Sequence, residues 1–290
     1  MKNLKNICML PVAACLFLFG SCSDEDYLGG HATTAGAGTQ MTVTAQINAP
    51  LSPGLSWNEN DIIGIAAGYG QYDATARNRE YACQADGRTF TQTTGYPIYV
   101  KGATDIVAYF PYIGSDGAEP TITLDTRNQS AITDYLFAKA EGVTPQNGGN
   151  VNLVFDYALA RLNMNITVPA GETIHGYRLV GFAQQATVDP YTLDMALEAP
   201  EDLTYEGTDI RNITLRLIPQ TVDAESGIDA RLVLIGNIRS YSIDMSQTPL
   251  VAGQEQQATV DVTNGIGSIE FVPGGSAWTD SGLGGNVASK

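Results

Sequence analysis

The chain has 290 residues, 43% of them hydrophobic, and a formal charge of −16. That length holds one or two domains with buried cores, and the charge excludes nucleic-acid binding, which needs a basic face to neutralise phosphates, as well as charge-driven attachment to anionic lipid. The acidity itself reads as solubility, and the 31 glycines and 13 prolines, spread without a repeat, read as turns between many short strands.

At the N-terminus, Lys2 and Lys5 precede an apolar run from Ile7 to Phe19 that is too short to span a membrane stably, and Phe19-Gly20-Ser21 stands directly before Cys22. Residues 1–21 read as a signal peptide. The small pair before a cysteine looks like a lipobox, which would leave Cys22 as a diacylated first residue; an ordinary secretory cut with Cys22 incidental is the alternative. Acyl chains hold a protein at a membrane because each buried methylene contributes about 0.8 kcal/mol. Ser23, Asp24, Glu25 and Asp26 follow, an acidic run that resembles the surface-export signal of Bacteroidetes lipoproteins and otherwise reads as a solvated tether. Residues 22–38 then form that tether and a flexible Gly/Ala/Thr linker, with His31 lacking ligand neighbours. Cys8 and Cys15 leave with the signal peptide and Cys22 would be acylated, so Cys83 has no intramolecular partner and reads as a small buried apolar residue.

A first domain is expected over residues 39–147. Met41, Val43, Ala45 and Ile47 alternate with polar residues, the period of a half-buried strand. Beyond a Pro/Ser/Gly loop, Trp57 and the turn Asn58 to Asp61 lead to the apolar run Ile62 to Ala67, another strand. The Asn/Glu/Asp cluster at 58–61 lacks the spaced ligands and central glycine of a calcium loop. Gly68 to Arg79 reads as a loop, with Arg77 and Arg79 exposed in it. Short strands are expected at Tyr81 to Gln84, Phe90 to Thr94, Tyr96 to Val100, Asp105 to Tyr112, Pro120 to Leu124 and Tyr135 to Ala138.

The second domain, residues 148–290, opens on Val151 to Thr167. Val151, Leu153 and Phe155 alternate, as do Leu162, Met164 and Ile166, with YALAR (Tyr157 to Arg161) between them. Further strands are expected around Tyr177 and Leu179, at Ile213 to Leu217, at Arg231 to Ile235 as a buried strand, and at Ile238 to Met245. Ala258 to Val262 and Ser268 to Val272 flank Asn264-Gly265, a strong hairpin signal. Helix periodicity is almost absent. Neither a metal-ligand set nor a nucleophile-elbow or Ser/His/Asp arrangement can be assembled with only two histidines, so no cofactor and no catalytic residues are expected.

The succession Trp57 to Ile65 (WNENDIIGI), Val107 to Tyr112 (VAYFPY), Asp134 to Ala138 (DYLFA), Leu153 to Leu162 (LVFDYALARL) and Leu217 to Thr221 (LIPQT) resembles the fimbrillin superfamily of Bacteroidetes, the FimA/Mfa-like proteins of type V pili. The resemblance spans the mature chain from Met41 to Trp278. It implies an all-β chain of two transthyretin-like (Greek-key) β-sandwich domains in tandem, and a non-enzymatic lipoprotein at the outer membrane or in a fimbrium, supporting adhesion. It also implies polymerisation by strand exchange: a protease removes the first strand, here the one carrying Met41, Val43, Ala45 and Ile47, and the apolar groove accepts a strand of the next pilus subunit. The implied partners are thus other subunits, outer-membrane lipid through acylated Cys22, and a host or bacterial surface receptor.

Two sequence features shape that expectation. No Lys or Arg occurs between Lys5 and Arg77, so a trypsin-like protease cannot release the strand alone; either another protease acts, or the strand stays and the protein is an anchor or cap. Residues 276–290, SAWTDSGLGGNVASK, have little β-propensity, which suits a tip or accessory subunit that accepts a strand and donates none. The alternative from a different class is a non-polymerising surface lipoprotein that binds a glycan or host ligand, with Tyr69, Tyr72, Tyr96 and Tyr99 as candidate stacking aromatics; as plain β-sandwich residues they need no ligand.

Overall fold

The computed structural model describes residues 38–48, 56–67, 77–93, 97–222 and 229–272, together with the backbone of Ser276–Ala277. Its strands are, in order, β1 (Thr39–Gln40), β2 (Thr42–Ile47), β3 (Ile62–Ala67), β4 (Arg79–Cys83), β5 (Thr89–Gln92), β6 (Tyr99–Val100), β7 (Thr104–Phe110), β8 (Ile122–Asp125), β9 (Leu136–Val143), β10 (Asn150–Tyr157), β11 (Ala160–Thr167), β12 (Ile174–Val180), β13 (Gln185–Val188), β14 (Met195–Leu197), β15 (Leu203–Glu206), β16 (Asn212–Leu217), β17 (Arg231–Gly236), β18 (Ser240–Asp244), β19 (Gln254–Asp261), β20 (Ser268–Phe271) and β21 (Ser276–Ala277). A 3-10 turn at Pro145–Asn147 interrupts them. The chain is all-β, as its alternating apolar pattern requires, because period-2 burial can be satisfied only by strands with one face inward.

Seven strands close around a first core in the order β10-β2-β5-β4-β3-β7-β9. All neighbours in that ring are antiparallel except β2 and β10, which run parallel. Trp57 packs edge-on against three phenylalanines, with ring centroids 5.3 Å from Phe90, 5.3 Å from Phe110 and 5.0 Å from Phe155. Two of the sequence motifs interlock beside it. Gly64 of β3 pairs across the sheet with Tyr109 of β7, and a Cβ on Gly64 would lie 2.3 Å from the Tyr109 ring. The glycine therefore vacates the space in which the ring lies, and the Tyr109 hydroxyl donates to Asn78 Oδ1 at 2.6 Å.

The second core lies between two sheets. One has the order β16-β11-β19-β20 with β21 on β19, and the other β15-β12-β17-β18. The parallel pair recurs here as β11 and β19. The expected hairpin forms between β19 and β20, with Gly265 at φ 80° and its N–H donating to Val262 O at 3.0 Å.

Three features depart from the sequence expectation. The second domain was expected from residue 148, but β10 pairs along its length with β2 and buries Val151, Leu153 and Phe155 in the first core; the cores divide between Leu159 and Ala160. Its alternation reads the same whichever core it faces, so periodicity could not assign it. The sequence reading had no strands between Val180 and Asn212, where β13, β14 and β15 occur. β13 and β14 form a three-stranded sheet with β8, and Ala186 and Val188 of β13 join the first core. These strands are three or four residues long and mostly polar outside, too short for a period to emerge. Finally, β17 is not buried throughout: Leu232 and Leu234 face inward while Arg231 is exposed.

Turn carboxylates fasten the strand ends. Asp86 accepts hydrogen bonds from the backbone of Arg88 (2.9 Å) and Thr89 (2.8 Å) and from Thr89 Oγ1 (2.6 Å), and the Thr89 bonds hold its carboxyl below the usual range. Bonds from Ser246 to Asp244 and from Thr263 to Asp261 do the same. Carboxyls depressed in the folded state add stability above the unfolded carboxylate pKa of about 4 and lose it as pH falls through their folded values. Melting temperature is accordingly expected to hold from pH 7 to about pH 5 and to drop below about pH 4, with Asp86→Asn shrinking the drop; a melting temperature flat down to pH 3 contradicts this. Gly64→Ala, which drives a methyl into the Tyr109 ring, is expected to cost about 1–3 kcal/mol in denaturant unfolding, and a variant as stable as the parent would refute the interlock.

Candidate functional site

The first strand is held differently on its two sides. β2 pairs in parallel register with β10 from Thr42↔Asn150 to Ile47↔Phe155. On its other side only Val43↔Phe90 and Thr44↔Thr89 pair with β5. Beyond the ladder, Met41 N donates to Ile98 O at 2.8 Å, Ala45 N to Arg88 O at 2.9 Å and Asn48 N to Phe155 O at 2.8 Å. At its start the chain presses on the turn before β10: a Cβ on Gly149 would lie 2.8 Å from Gln40 O, and its φ of 65° favours glycine in any case.

Alternation sends the two faces of β2 to different tasks. Met41, Val43 and Ala45 are buried in the first core and Ile47 packs partly against it. Burying Met41 and Val43 contributes about 1.5–3 kcal/mol each. Phe90 and Phe155, the register partners of Val43 and Ile47, flank the strand on either side, and the Trp57 ring contacts both. Beneath β2 therefore lies an aromatic floor.

The outward face carries a polar ladder that sequence reading missed. Thr42 Oγ1 donates to Asn150 Oδ1, Thr44 Oγ1 to Asn152 Oδ1 at 3.2 Å, and Asn48 Nδ2 to Asp156 Oδ1 at 2.7 Å. Each rung joins residues 108 apart in sequence. The available signal was the matched alternation Thr42, Thr44, Asn48 and Asn150, Asn152, Asp156, which becomes a set of pairs only once the parallel register is known. Exposed hydrogen bonds of this kind add little energy but set register.

The other candidate residues are placed as follows. Cys22, Ser23, Asp24, Glu25 and Asp26 lie outside the described residues, as do Tyr69, Tyr72 and Tyr96. Tyr99 is half-buried in β6, where it pairs with Gln40 of β1. Arg79, expected in an exposed loop, is instead a buried residue of β4 ion-paired with Asp116, because its guanidinium finds that carboxylate beneath the 113–119 loop. Arg77 is half-exposed and pairs with Glu119 at 3.1 Å. Cys83 is fully buried, and burial pushes its thiol up to about 11, which leaves it inert at neutral pH. His175 is exposed on β12, and among the described residues no group of His, Cys, Asp and Glu could hold a metal ion.

Where the cores meet, two motif residues, Asp134 and Gln220, and Gln129 hold strands and loops distant in sequence. Arg216 Nη1 reaches Asp134 Oδ2 at 2.7 Å, a pair in which the Asp134 carboxylate is almost wholly buried; burial raises the Asp134 pKa against the opposing pull of Arg216. Gln129 holds the backbone of the same residue like a neighbouring strand, Nε2 donating to Arg216 O (3.0 Å) and Oε1 accepting from Arg216 N (2.9 Å). Gln220 does likewise to Ala183, at 3.0 and 3.1 Å. Among the described residues no helix is long and apolar enough to cross a membrane.

A family model described as fimbrillin-like matches residues 34–274. No curated protein matches the chain. Among solved structures, a candidate cell adhesion protein from Bacteroides uniformis superposes with a TM-score of 0.57 at 20% identity, over 85% of this chain and 100% of its own. A second, from Bacteroides ovatus, gives 0.57 at 18% identity, over 83% and 98%. At such identities the likeness is one of fold.

If the inward face of β2 supplies its hold, Val43→Ala is expected to cost about 2 kcal/mol and Thr44→Ala less than about 0.5 kcal/mol. Denaturant titration of the two variants checks the order, and equal losses would mean that the outer ladder bears the strand instead.

Proposed function

The chain belongs to the fimbrillin-like family, and from that premise we propose that it is a non-enzymatic cell-surface subunit of type V pili, assembling by strand exchange after β2 is removed. The observation that carries this reading is the setting of β2. It is an N-terminal strand, joined to the sheet by a full parallel ladder on one side and a partial one on the other, over an aromatic floor. Its departure would uncover unpaired edges on β5 and β10 together with apolar surface, a site that any strand of matching alternation could fill.

Within that reading the protein is a tip or accessory subunit. Strands β20 and β21 both pair with β19 of their own sheet, which accounts for them inside the fold and leaves neither free for donation to a neighbour. The stretch from Asn48 to Ser56 contains no Lys or Arg, Arg79 is locked in β4, and a cut at the half-exposed Arg77 would take β3 away with β2, so release of β2 alone falls to a protease of other specificity. Cys22 is the acylated residue and Ser23 to Asp26 the export signal that together place the protein on the outer face of the outer membrane, with other pilus subunits as its partners there.

A chain starting after Asn48 is expected to associate into species that persist in unboiled detergent, while one starting at Ser23 stays monomeric. A synthetic peptide of sequence Thr42 to Asn48, added in excess, is expected to suppress the association. Two equally stable monomers by size-exclusion chromatography would overturn the exchange reading. Separately, Cys22→Ala is expected to abolish palmitate labelling and release the protein from membranes; labelling that survives would remove the anchor.

A further inference from the structure

The sheet β15-β12-β17-β18 ends on β15, a strand of four residues whose only ladder partner among the described residues is β12. A strand so short and open on one side is the first part of a sheet to peel away. Register places Tyr205 of β15 directly opposite Tyr177 of β12, so both rings rise from the same face. They stack, with centroids 5.2 Å apart and planes inclined by 24°. We propose that this pair is an oxidative modification site, at which a haem peroxidase and hydrogen peroxide join the two rings as dityrosine and so rivet β15 to its sheet.

The surroundings suit the pair to that coupling. Tyr205 is 50% exposed, the one aromatic among the exposed large apolar residues of the described chain, whereas Tyr177 is 5% exposed. The oxidant therefore meets Tyr205 and not its partner. Gly207 leaves room for the outer ring, since a Cβ there would lie 2.9 Å from Tyr205 Cε1, and its N–H donates to His175 O at 2.9 Å, which fastens the end of β15 to β12. The stack thus stands ready before any oxidant arrives, and little entropy is lost in bringing the rings together. Burial pushes the Tyr177 hydroxyl up to about 12, with the nearby Tyr205 phenol adding to the rise. Tyr177 accordingly stays protonated at neutral pH and gives up its electron together with that proton. In the first core, by contrast, rings meet as Trp57 with phenylalanines and as Tyr135 with Phe137, and a phenylalanine has no phenol to oxidise. A link between two chains through Tyr205 is opposed by the repulsion of two bodies of charge −16.

The steps balance. The peroxidase takes one electron from Tyr205, whose phenolic proton goes to water, and leaves a phenoxyl radical. That radical takes the hydrogen atom of the Tyr177 hydroxyl, which moves the radical inward and restores Tyr205. A second one-electron oxidation of Tyr205 sets two radicals face to face. A carbon–carbon bond then forms between ring carbons beside the two hydroxyls; those carbons lose their hydrogens as protons while both hydroxyls re-form. The pair has given up two electrons and two protons, and one peroxide has been reduced to two waters.

Treating the unacylated chain that starts at Ser23 with a haem peroxidase and hydrogen peroxide tests this. Dityrosine fluorescence is expected in the monomer band of a denaturing gel. After trypsin, residues 162–178 and 179–211, neither of which has an internal Lys or Arg, are expected as one linked species lighter by two hydrogens than the two peptides together. Tyr205→Phe, at an exposed position, is expected to keep the parent melting temperature and to lose the linked species, and Tyr177→Phe to lose it too. Because Tyr191 shares the second peptide, Tyr205→Phe is the deciding variant. The linked monomer is also expected to unfold at a higher denaturant midpoint than Tyr205→Phe treated in the same way, since the bond constrains the unfolded chain as a disulfide does. Absence of the linked species from the oxidised parent, its survival in Tyr205→Phe, fluorescence confined to covalent dimers, or equal midpoints would overturn the proposal.

Discussion

One ribbon of chain, Asn150 to Thr167, is a strand of both cores, and this constrains nearly everything else. β10 closes the first ring against β2, β11 starts the second sheet against β19, and only Ala158 and Leu159 lie between them. Alternating burial breaks there: Tyr157, Ala158, Leu159 and Ala160 are buried in succession, since at the crossing both faces of the ribbon meet protein. Such a passage tolerates no polar side chain, and it leaves the two cores no freedom to choose their own registers.

The junction built around that ribbon is polar at its edges and apolar at its centre. Gln129 and Gln220 act as single-residue strands, each offering one donor and one acceptor to a backbone that has lost its neighbour. Backbone groups at sheet ends must be satisfied when buried, and an amide side chain does so without adding a strand that would have to be threaded between the sheets. The Asp134–Arg216 pair adds directional contact there. The three-stranded sheet of β8, β13 and β14 adds a further bond, because it takes strands from both halves of the sequence yet packs on the first core.

Legibility in the sequence followed period and length. Strands with clean alternation, β2, β10, β11, β16 and β19, were visible because each shows several repeats of its period, and β7 was visible as a continuous apolar run. The short strands β13 to β15 were not, since three or four residues hold barely two repeats. The motifs that carried the resemblance marked part of the junction without revealing its contacts: Asp134, Arg161 and Gln220 stand in those short apolar words and Arg216 beside one, but which residue meets which depends on a fold that brings Asp134 to Arg216, Arg161 to Glu255 and Gln220 to Ala183. The inward face of β2 could be read directly, whereas its outer rungs could not, because parallel pairing over a separation of 108 leaves no local trace. Arg79 shows the converse error. A charged residue in a run without period looks like loop, and only the Asp116 carboxylate makes its burial tenable.

The parallel sense of β2 and β10 has a mechanical consequence. β10 runs toward the junction, so β2 begins at the end of the first core farthest from the second. A chain fastened upstream of Thr39 and pulled from its second core would be loaded along the strand axis. Its ladder would then bear force in shear, all hydrogen bonds together, where an antiparallel hairpin pulled at its open end yields one bond at a time. The same strand that a protease could strip away is thereby the one best oriented to hold against tension.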